Sequence, residues 1–435
     1  MKIYKQLFLF FLPILIGTIV QQLYSTVDTM IVGQFVGKLA LASIGGSVAI
    51  ITEIIITFFN GLAGGASVVI AHAFGEDNST KLHSSILNAY LFSFIIGVLL
   101  SFFGFIFTPQ LLILMNTPNK MLAGSILYLR VYFLGMIFIL IYNMGASALR
   151  ALGDSLHPFI YLLVCSVINI ILDLIFVCIF NLAIFGVAFA TVIAQAISAC
   201  LITYTLNKHV HFLKRKHLLN LDYAILKREL IIGIPGALQA CAYGISNIIL
   251  QIAINSFGTN CIAGWAIYGK LDMIFWAAAS ALGTTVTTFV GQNYGANNKR
   301  QIFKIIRINT YLSYLLCGLI LLILFIFCEP LYQLFTKDQK VISIATYMLR
   351  FLAPSYLISI LLENLSGGLR GLGDVFYPTI FTFGSIFLIR LPWLLLTNKY
   401  HTLSHLLISY PLAWAFTIIL LIPYYFYRKK KFLHS

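Results

Sequence analysis

Charged side chains are scarce in this chain. Asp, Glu, Lys and Arg make up 9% of its 435 residues, whereas an ordinary soluble domain is about 25% charged. Apolar residues make up 60%, and the mean hydropathy is +0.96. No water-soluble fold could cover that much apolar surface, so the composition excludes a cytosolic enzyme, a secreted disulfide scaffold and a disordered regulator. It predicts an all-α integral membrane protein that crosses the bilayer many times.

The chain also lacks the cysteine patterns of redox and metal proteins. Its seven cysteines are scattered through apolar runs without any C-x-x-C pair, so we interpret them as small buried apolar residues. Lys2 and Lys5 precede the first apolar run, but no small-residue cleavage site follows it. We therefore predict a retained first span rather than a signal peptide.

Acidic residues are fewer than basic ones, 13 against 28, which gives a net charge of +15. A spanning helix needs about 20 apolar residues, and twelve runs qualify. Nineteen Lys and Arg residues lie at the N-terminus and in the loops after even-numbered spans, and five lie in the opposite loops. This asymmetry predicts cytoplasmic termini and explains the net charge without nucleic acid. The predicted spans are 7–32, 46–74, 84–108, 123–149, 158–180, 184–207, 230–255, 262–292, 303–328, 341–367, 377–397 and 403–427.

An internal repeat divides the chain in two. Ala148–Pro158 (ALRALGDSLHP) and Gly368–Pro378 (GLRGLGDVFYP) match at six of eleven positions with an offset of 220, and the same offset aligns Arg130 with Arg350. The arginines are predicted to reach the membrane surfaces. We predict two homologous six-helix lobes, 1–207 and 230–435, related by an axis along the membrane normal and enclosing a central cavity.

A basic cytoplasmic linker, 208–229, joins the predicted lobes, and a basic tail ends the second. The linker contains His209, His211 and His217. These histidines lack the spacing of a helical or finger metal site. A solvated linker whose charge fixes the topology is the favoured interpretation.

Five acidic residues fall inside predicted spans: Asp28, Glu53, Asp173, Asp272 and Glu363. A charge at the bilayer centre costs about 2.5–3.5 kcal/mol on insertion scales, so such acids are functional candidates. Asp28 and Asp173 each share a helix face with polar residues four or seven positions away. The polar candidates of the first lobe are Gln21, Tyr24, Asn143, Asn169 and Thr191.

Convergence of these side chains would create an ion site. Two carboxylates with amide and hydroxyl oxygens are ligands that a small hard cation such as Na⁺ accepts. Two carboxylates in a low-dielectric pocket cannot both stay ionised without a cation, so the site could equally hold a proton. The alternative is a set of hydrogen bonds that only joins helices.

Several segments together resemble one family. Span 1 contains LYSTVDTMIVGQFVG, span 5 contains NIILDLIF, FGVAFAT follows, and LRALGD and LRGLGD close spans 4 and 10. With twelve spans in two halves, the chain resembles the multidrug and toxin extrusion (MATE) transporters along essentially its whole length. The resemblance implies cation-coupled antiport, with a drug cavity between two V-shaped lobes.

The resemblance also assigns residues. It implies a Na⁺ or H⁺ site in the N-terminal lobe at Asp28, Asn143, Asn169, Asp173 and Thr191, with Asp28 and Asp173 as the carboxylate ligands if the ion is Na⁺. It further implies bending of the first helix at Pro13. Some members use a glutamate in span 7, but the corresponding stretch PGALQACAYGISN has none. This departure favours the N-terminal lobe as the principal site.

The second lobe differs at the matching positions. The offset of 220 places Glu363 at the equivalent of Asn143, and Arg390 lies next to the equivalent of Asn169. We hypothesise an intramembrane Glu363–Arg390 pair with a structural rather than a drug-contacting role. Asp272 is expected to line the cavity and attract cationic substrate, unless Lys270 neutralises it. The predicted substrate-cavity residues are Gln21, Tyr24, Glu53, Asp272, Glu363 and Arg390.

The sequence therefore predicts a membrane antiporter and not an enzyme. It would export cationic or amphipathic drugs or toxic metabolites by alternating access, driven by Na⁺ or H⁺ and without another cofactor. The expected partners are a drug-like small molecule and membrane lipid, not nucleic acid, and the protein is expected to act as a monomer in the cell membrane. The alternatives are a flippase for lipid-linked or other specific metabolites and, more remotely, an intramembrane transferase.

Overall fold

The computed structural model describes residues 3–211, 222–397 and 402–434. Within those ranges every regular element is a helix, as predicted. A spanning chain must satisfy its own backbone hydrogen bonds, because lipid offers no donors or acceptors. The long apolar runs therefore fold as helices, and eleven of the described helices are long and apolar enough to cross a membrane.

A twelfth candidate span is made of two helices. Asn119–Leu134 and Met136–Ala151 are long and apolar enough only when taken together, and they are bent by 50° relative to each other. They cover the span predicted over 123–149. The break falls at Gly135, where an added methyl group would lie 2.5 Å from Val192. The close approach of Val192 therefore requires glycine at this position.

The packing divides the chain into two units. The first, here called the N-terminal unit, covers 16–237. It contains most of α1 (Ile3–Ile31) and the first part of α9 (Tyr223–Asn255). The helices between them are α2 (Lys38–Gly45), α3 (Ser47–Gly75), α4 (Ser79–Leu114), α5 (Asn119–Leu134), α6 (Met136–Ala151), α7 (Leu156–Leu174) and α8 (Ala183–Val210).

The second, the C-terminal unit, combines 1–15 with 238–435. Its core includes Leu7 and Phe11 from the first helix, so the division falls inside α1 and α9. Part of the predicted linker is helical, because α8 continues to Val210 and α9 begins at Tyr223; residues 212–221 lie outside the described residues. The remaining helices are α10 (Thr259–Gly295), α11 (Lys299–Gln333), α12 (Gln339–Gly371), α13 (Phe376–Gly384), α14 (Leu391–Thr397), α15 (Leu403–Leu407) and α16 (Ser409–His434).

The repeat is visible in backbone and side-chain geometry. Asp77 and Asn297, 220 residues apart, adopt left-handed φ angles of 51° and 52°. The asparagine after each of them caps the next helix. Arg130 lies 5.0 Å from the ring centre of Phe105, and Arg350 lies 5.9 Å from that of Phe325, again at an offset of 220. Each unit therefore folds by the same local rules.

Candidate functional site

Two acids, Asp173 buried and Asp28 partly buried, meet in the N-terminal unit. Asp28 lies near the end of α1 and Asp173 near the end of α7, and their carboxyl groups are within hydrogen-bonding range of each other. Asp173 is 0% exposed. The Oδ1 atom of each carboxyl is buried and accepts no hydrogen bond from the residues that the structure describes. The pair therefore has coordination capacity that the protein leaves unused.

Helix packing explains why these two acids meet. A methyl group on Gly17 would lie 3.4 Å from the ring of Phe159 and 3.6 Å from Leu162, so α1 and α7 are close neighbours there. Asp28 lies eleven residues beyond Gly17, and Asp173 lies eleven residues beyond Leu162. α1 and α7 belong to predicted spans 1 and 5, which are both odd-numbered and therefore cross the membrane in the same direction, so each rises about 16 Å over that distance. The carboxyl groups therefore reach the same level.

A π-helical segment follows each acid. Val32–Val36 continues α1 and ends at Gly37, whose φ is 111°, and Ile175–Ile179 continues α7. A π segment interrupts the α-helical hydrogen-bond ladder and changes the direction of the side chains around it, and such segments are frequent at functional sites. The sequence analysis did not predict them, because hydropathy does not respond to one extra residue in a turn.

Asn169 and Thr191 complete the polar group. The Asn169 amide is oriented so that its nitrogen meets an acceptor and its oxygen meets a donor. In this orientation Asn169 Nδ2 donates to Asp173 Oδ2 at 2.8 Å, and Asn169 Oδ1 accepts from the Thr191 backbone N–H at 3.1 Å. Asn169 is 0% exposed. The amide therefore joins α7 to α8 and fixes the direction of one carboxyl oxygen.

Tyrosines surround the carboxyl pair. Tyr24, on the same face of α1 as Asp28, and Tyr128 of α5 both interact electrostatically with the two carboxyl groups. Tyr128 also stacks on Tyr132, with ring centres 6.1 Å apart. The sequence analysis missed Tyr128. The available signal was the spacing of Tyr128 and Tyr132, four residues apart on one face of an apolar helix.

Other predicted residues lie apart from the pair. Asn143 Nδ2 donates to the Ile139 carbonyl of its own helix at 2.8 Å, and within the described residues no hydrogen bond joins it to either acid. Glu53 and Gln21 are exposed on α3 and α1. Pro13 lies inside α1, which runs as one helix from Ile3 to Ile31. Bending at Pro13 stays a prediction.

The C-terminal unit contains a polar and aromatic cavity of about 400 Å³. Asp272 of α10 accepts a hydrogen bond from the Tyr356 hydroxyl, which lies 2.5 Å from the Tyr268 hydroxyl. The Tyr356 ring stacks on Phe275 with centres 4.5 Å apart. The residues that line the cavity are Tyr243, Asn247, Asp272, Trp276, Ser280, Ser359, Leu362, Glu363, Arg390, Tyr410 and Trp414.

Arg390 faces this cavity without a carboxylate partner. Its Nη2 donates to Asn247 Oδ1 at 3.1 Å, and its guanidinium lies 4.0 Å from the ring centre of Tyr410. Nε is buried and donates to no atom of the described residues. Within the described residues no ion pair joins Arg390 to Glu363, so the hypothesised direct pair is wrong. An amide and an aromatic face hold the cation instead.

Lys270 does not neutralise Asp272. Lys270 is exposed, whereas Asp272 points to the Tyr356 hydroxyl in the interior. Residues two apart on a helix do not face each other, which accounts for the separation. Asp272 therefore contributes its carboxyl to the cavity without a lysine beside it.

These features define a class of protein: a duplicated, all-helical membrane transporter with an acid pair in one unit and an acidic aromatic cavity in the other. The chain belongs to the MatE family, since the MatE family model matches residues 13–175 and 235–396. Relatives are named as probable multidrug resistance proteins and as multidrug export proteins, which disfavours the transferase alternative.

The similarity extends along nearly the whole chain. A probable multidrug resistance protein, YoeA of Bacillus subtilis, is 29% identical over 99% of this chain and 95% of its own length. The probable multidrug resistance protein NorM of Thermotoga maritima is 26% identical over 93% of this chain and 87% of its own. A crystal structure of MATE in complex with MaL6 is 21% identical and superimposes with a TM-score of 0.91, covering 100% of this chain and 98% of that one. This last match describes the fold alone.

Proposed function

We propose that this protein is a multidrug efflux transporter of the cell membrane, which exports cationic or amphipathic small molecules in exchange for Na⁺ or H⁺. The observation that carries the proposal is the contact between the Asp28 and Asp173 carboxyl groups, each with an unused buried oxygen. The efflux function is supported by relatives named multidrug export protein MepA in Staphylococcus species.

The acid pair is suited to bind a cation or a proton. Two negative charges in contact repel each other strongly where water is excluded, so at least one must be neutralised. Na⁺ would be held by the carboxylate oxygens of Asp28 and Asp173, and H⁺ would be held on one carboxyl. Asn169 keeps Asp173 Oδ2 directed by donating to it at 2.8 Å.

Coupling requires that the ion and the substrate favour different conformations. A ligand shifts a conformational equilibrium only through its differential affinity for the two states. Ion binding to the acid pair favours the state that releases drug outside, and drug binding favours the other state. Each net positive charge that a transport cycle moves inward through 100 mV supplies about 2.3 kcal/mol, which corresponds to an accumulation of about fifty-fold.

The cavity of the C-terminal unit is suited to an aromatic cation. It offers the carboxyl groups of Asp272 and Glu363 and the indole rings of Trp276 and Trp414. Aromatic faces attract cations, and the flat rings accept many shapes. The cavity contains two acidic residues and one basic residue, Arg390. This balance also disfavours the flippase alternative, which would need a cationic cavity for a pyrophosphate group.

Transport into vesicles tests the proposal. Everted vesicles containing the parent, Asp28→Asn or Asp173→Asn would receive a Na⁺ gradient or a pH gradient separately, and uptake of a fluorescent organic cation would be followed. We expect one gradient to drive uptake by the parent and neither to drive it in the two variants. Glu329→Gln is the matched control, because Glu329 is an exposed acid paired with Arg350 at 3.3 Å. Normal gradient-driven uptake by both Asp variants would refute the proposal.

A further inference from the structure

A second cluster of ionisable side chains lies in the N-terminal unit where α6 ends, α7 begins and α8 ends. Asp154 sits in the turn before α7, and its Oδ1 accepts from the backbone N–H groups of Leu156 and His157, both at 3.1 Å. The other oxygen, Oδ2, lies 2.5 Å from His157 Nδ1. The turn itself thus holds the carboxylate and the first imidazole in place.

A second imidazole arrives from a different helix. His209 lies in the last turn of α8, and its ring centre is 6.1 Å from that of His157. One ligand atom from each of Asp154, His157 and His209 lies within 4.8 Å of the other two. We propose that these three side chains form a binding site for a divalent transition metal ion of the Zn²⁺ type.

The donor set defines the class of ion. Two imidazoles and one carboxylate suit Zn²⁺, Co²⁺ or Ni²⁺, whereas Mg²⁺ and Ca²⁺ prefer oxygen ligands alone. Zn²⁺ binds such ligands at about 2.0–2.2 Å, so tetrahedral donors lie about 3.4 Å apart. The 2.5 Å distance between Asp154 Oδ2 and His157 Nδ1 must therefore increase by about an ångström. The longest distance among the three ligand atoms, at most 4.8 Å, must shorten by a little more. Side-chain rotation can supply this, because His209 is exposed.

Three protein ligands leave a fourth position. The groove beside the cluster is also lined by His83 and His211, so water or a further imidazole is available to complete a tetrahedral shell. The sequence analysis favoured a solvated linker for His209 and His211. It could not associate them with Asp154 and His157, which lie about fifty residues earlier in the chain.

The internal repeat provides a comparison. At the equivalent turn of the C-terminal unit, Asp374 Oδ2 lies 2.6 Å from Arg428 Nε and accepts from the Tyr424 hydroxyl at 2.6 Å, and Tyr377 stands in the place of His157. The acid of the turn is thus paired with an arginine of α16 in the C-terminal unit, whereas in the N-terminal unit it contacts His157 and has a ligand atom of His209 of α8 within 4.8 Å. Arginine cannot ligate a metal ion, whereas histidine can. Only the N-terminal version has ligand chemistry.

A metal ion at this position would join the start of α7 to the end of α8. These two helices also contain Asp173 and Thr191. A bound ion is therefore expected to raise the thermal stability of the N-terminal unit, because a ligand that binds the native state alone stabilises it. The inference concerns metal binding alone and does not depend on the proposed transport function.

Metal binding to the full-length protein tests the inference. The protein would be purified in detergent with a non-histidine affinity tag, stripped with chelator and titrated with Co²⁺, whose visible absorption reports tetrahedral nitrogen and oxygen ligation. We expect one Co²⁺ per chain, displaced by Zn²⁺ and not by Mg²⁺. His209→Asn and His157→Asn should each weaken binding about tenfold or more. Zn²⁺ should raise the unfolding temperature of the parent but not of His209→Asn.

His405→Asn is the matched control, since His405 lies in α15 of the C-terminal unit and outside the groove. It should bind Co²⁺ like the parent. His209 is exposed, so its replacement should leave the metal-free unfolding temperature unchanged, and this measurement verifies that the variant is folded. Absence of stoichiometric Co²⁺ binding to the parent would overturn the inference, and so would equal affinity in the parent and in folded His209→Asn.

Discussion

Asn169 is the residue that orients the acid pair. Its amide is fully buried and connects Asp173 Oδ2 with the backbone of Thr191. Removing a hydrogen-bond partner from a buried polar group costs about 1–3 kcal/mol, because the group left behind is neither solvated nor paired. The direction of the Asp173 carboxyl therefore depends on this one side chain.

Asn169→Ala should consequently lower both stability and ion-driven uptake. We expect a loss of about 1–3 kcal/mol in the free energy of unfolding, seen as a lower unfolding temperature of the purified protein. Asn143→Ala is the control, because within the described residues the Asn143 amide bonds to the Ile139 carbonyl of its own helix and to no other group. Its effect should stay within about 0.5 kcal/mol. Equal losses in the two variants would contradict the role given to Asn169.

Arg390 governs the charge of the C-terminal cavity. Its side chain is 2% exposed, and its partners within the part of the chain that the structure describes are Asn247 and the ring of Tyr410. Arg390→Met removes a positive charge that repels a cationic ligand. At about 8 Å and an effective dielectric constant of about 20 that repulsion is worth about 2 kcal/mol.

Binding of ethidium, an aromatic cation, measures this effect by fluorescence. Arg390→Met should bind it about thirtyfold more tightly than the parent, since about 1.4 kcal/mol corresponds to a tenfold change in affinity, and Asp272→Asn should bind it more weakly. Tyr311→Phe is a control, because Tyr311 is exposed and outside the cavity. Unchanged affinity in both cavity variants would show that ethidium does not bind in this cavity.

At the scale of the helix, small residues set the packing of α3 against the first part of α9. A methyl group on Gly65 would lie 2.3 Å from the backbone nitrogen of Gly233 and 2.6 Å from the carbonyl of Glu229. One on Gly61 would lie 2.4 Å from the Cα atom of Ala237. Membrane helices rely on such small residues for close packing, because lipid gives them no hydrophobic drive to associate.

Gly65→Ala should therefore destabilise the protein although alanine favours helices. The obstructing atoms belong to the backbone, so the helices must separate, which costs about 1–3 kcal/mol. Gly64→Ala is a matched control, because nothing lies within 4 Å of its added methyl group and it should gain up to about 1 kcal/mol of helix propensity. Unfolding temperatures in detergent measure both. A Gly65→Ala variant as stable as Gly64→Ala would disprove the close packing.

The elements also indicate what sequence can predict. Hydropathy predicted the helices, and the cost of intramembrane charge selected Asp28 and Asp173, because both signals are local. The break at Gly135 lies against Val192 of α8, and the π segments after Ile31 and Leu174 are changes of hydrogen-bond pattern that hydropathy does not register. The repeat offset predicted the depth of Glu363 and Arg390 but not their rotation about the helix axes, so the direct pair was wrong. Tyr128 was missed because its four-residue spacing from Tyr132 was the one signal that set it apart from the many other aromatic residues.

At the scale of the molecule, one fold is used twice with different chemistry. The two units share turns, caps and arginine–phenylalanine contacts at an offset of 220. The N-terminal unit adds a contacting acid pair, and the C-terminal unit adds a cavity with two acids, aromatic walls and a buried arginine. The proposed antiport assigns the ion to the N-terminal unit and the substrate to the C-terminal unit. Under this proposal the two copies of the duplicated fold bind different ligands.

The central claim is that the Asp28 and Asp173 carboxyl groups act as one ion-binding unit. A double-mutant cycle measures this most directly, with gradient-driven uptake in reconstituted vesicles for the parent, Asp28→Asn, Asp173→Asn and the double variant. Residues that act as a unit are strongly non-additive. The account predicts that each single variant loses ion-driven accumulation and that the double variant is no worse than either. Substantial ion-driven uptake in one single variant, or losses that multiply in the double variant, would contradict it.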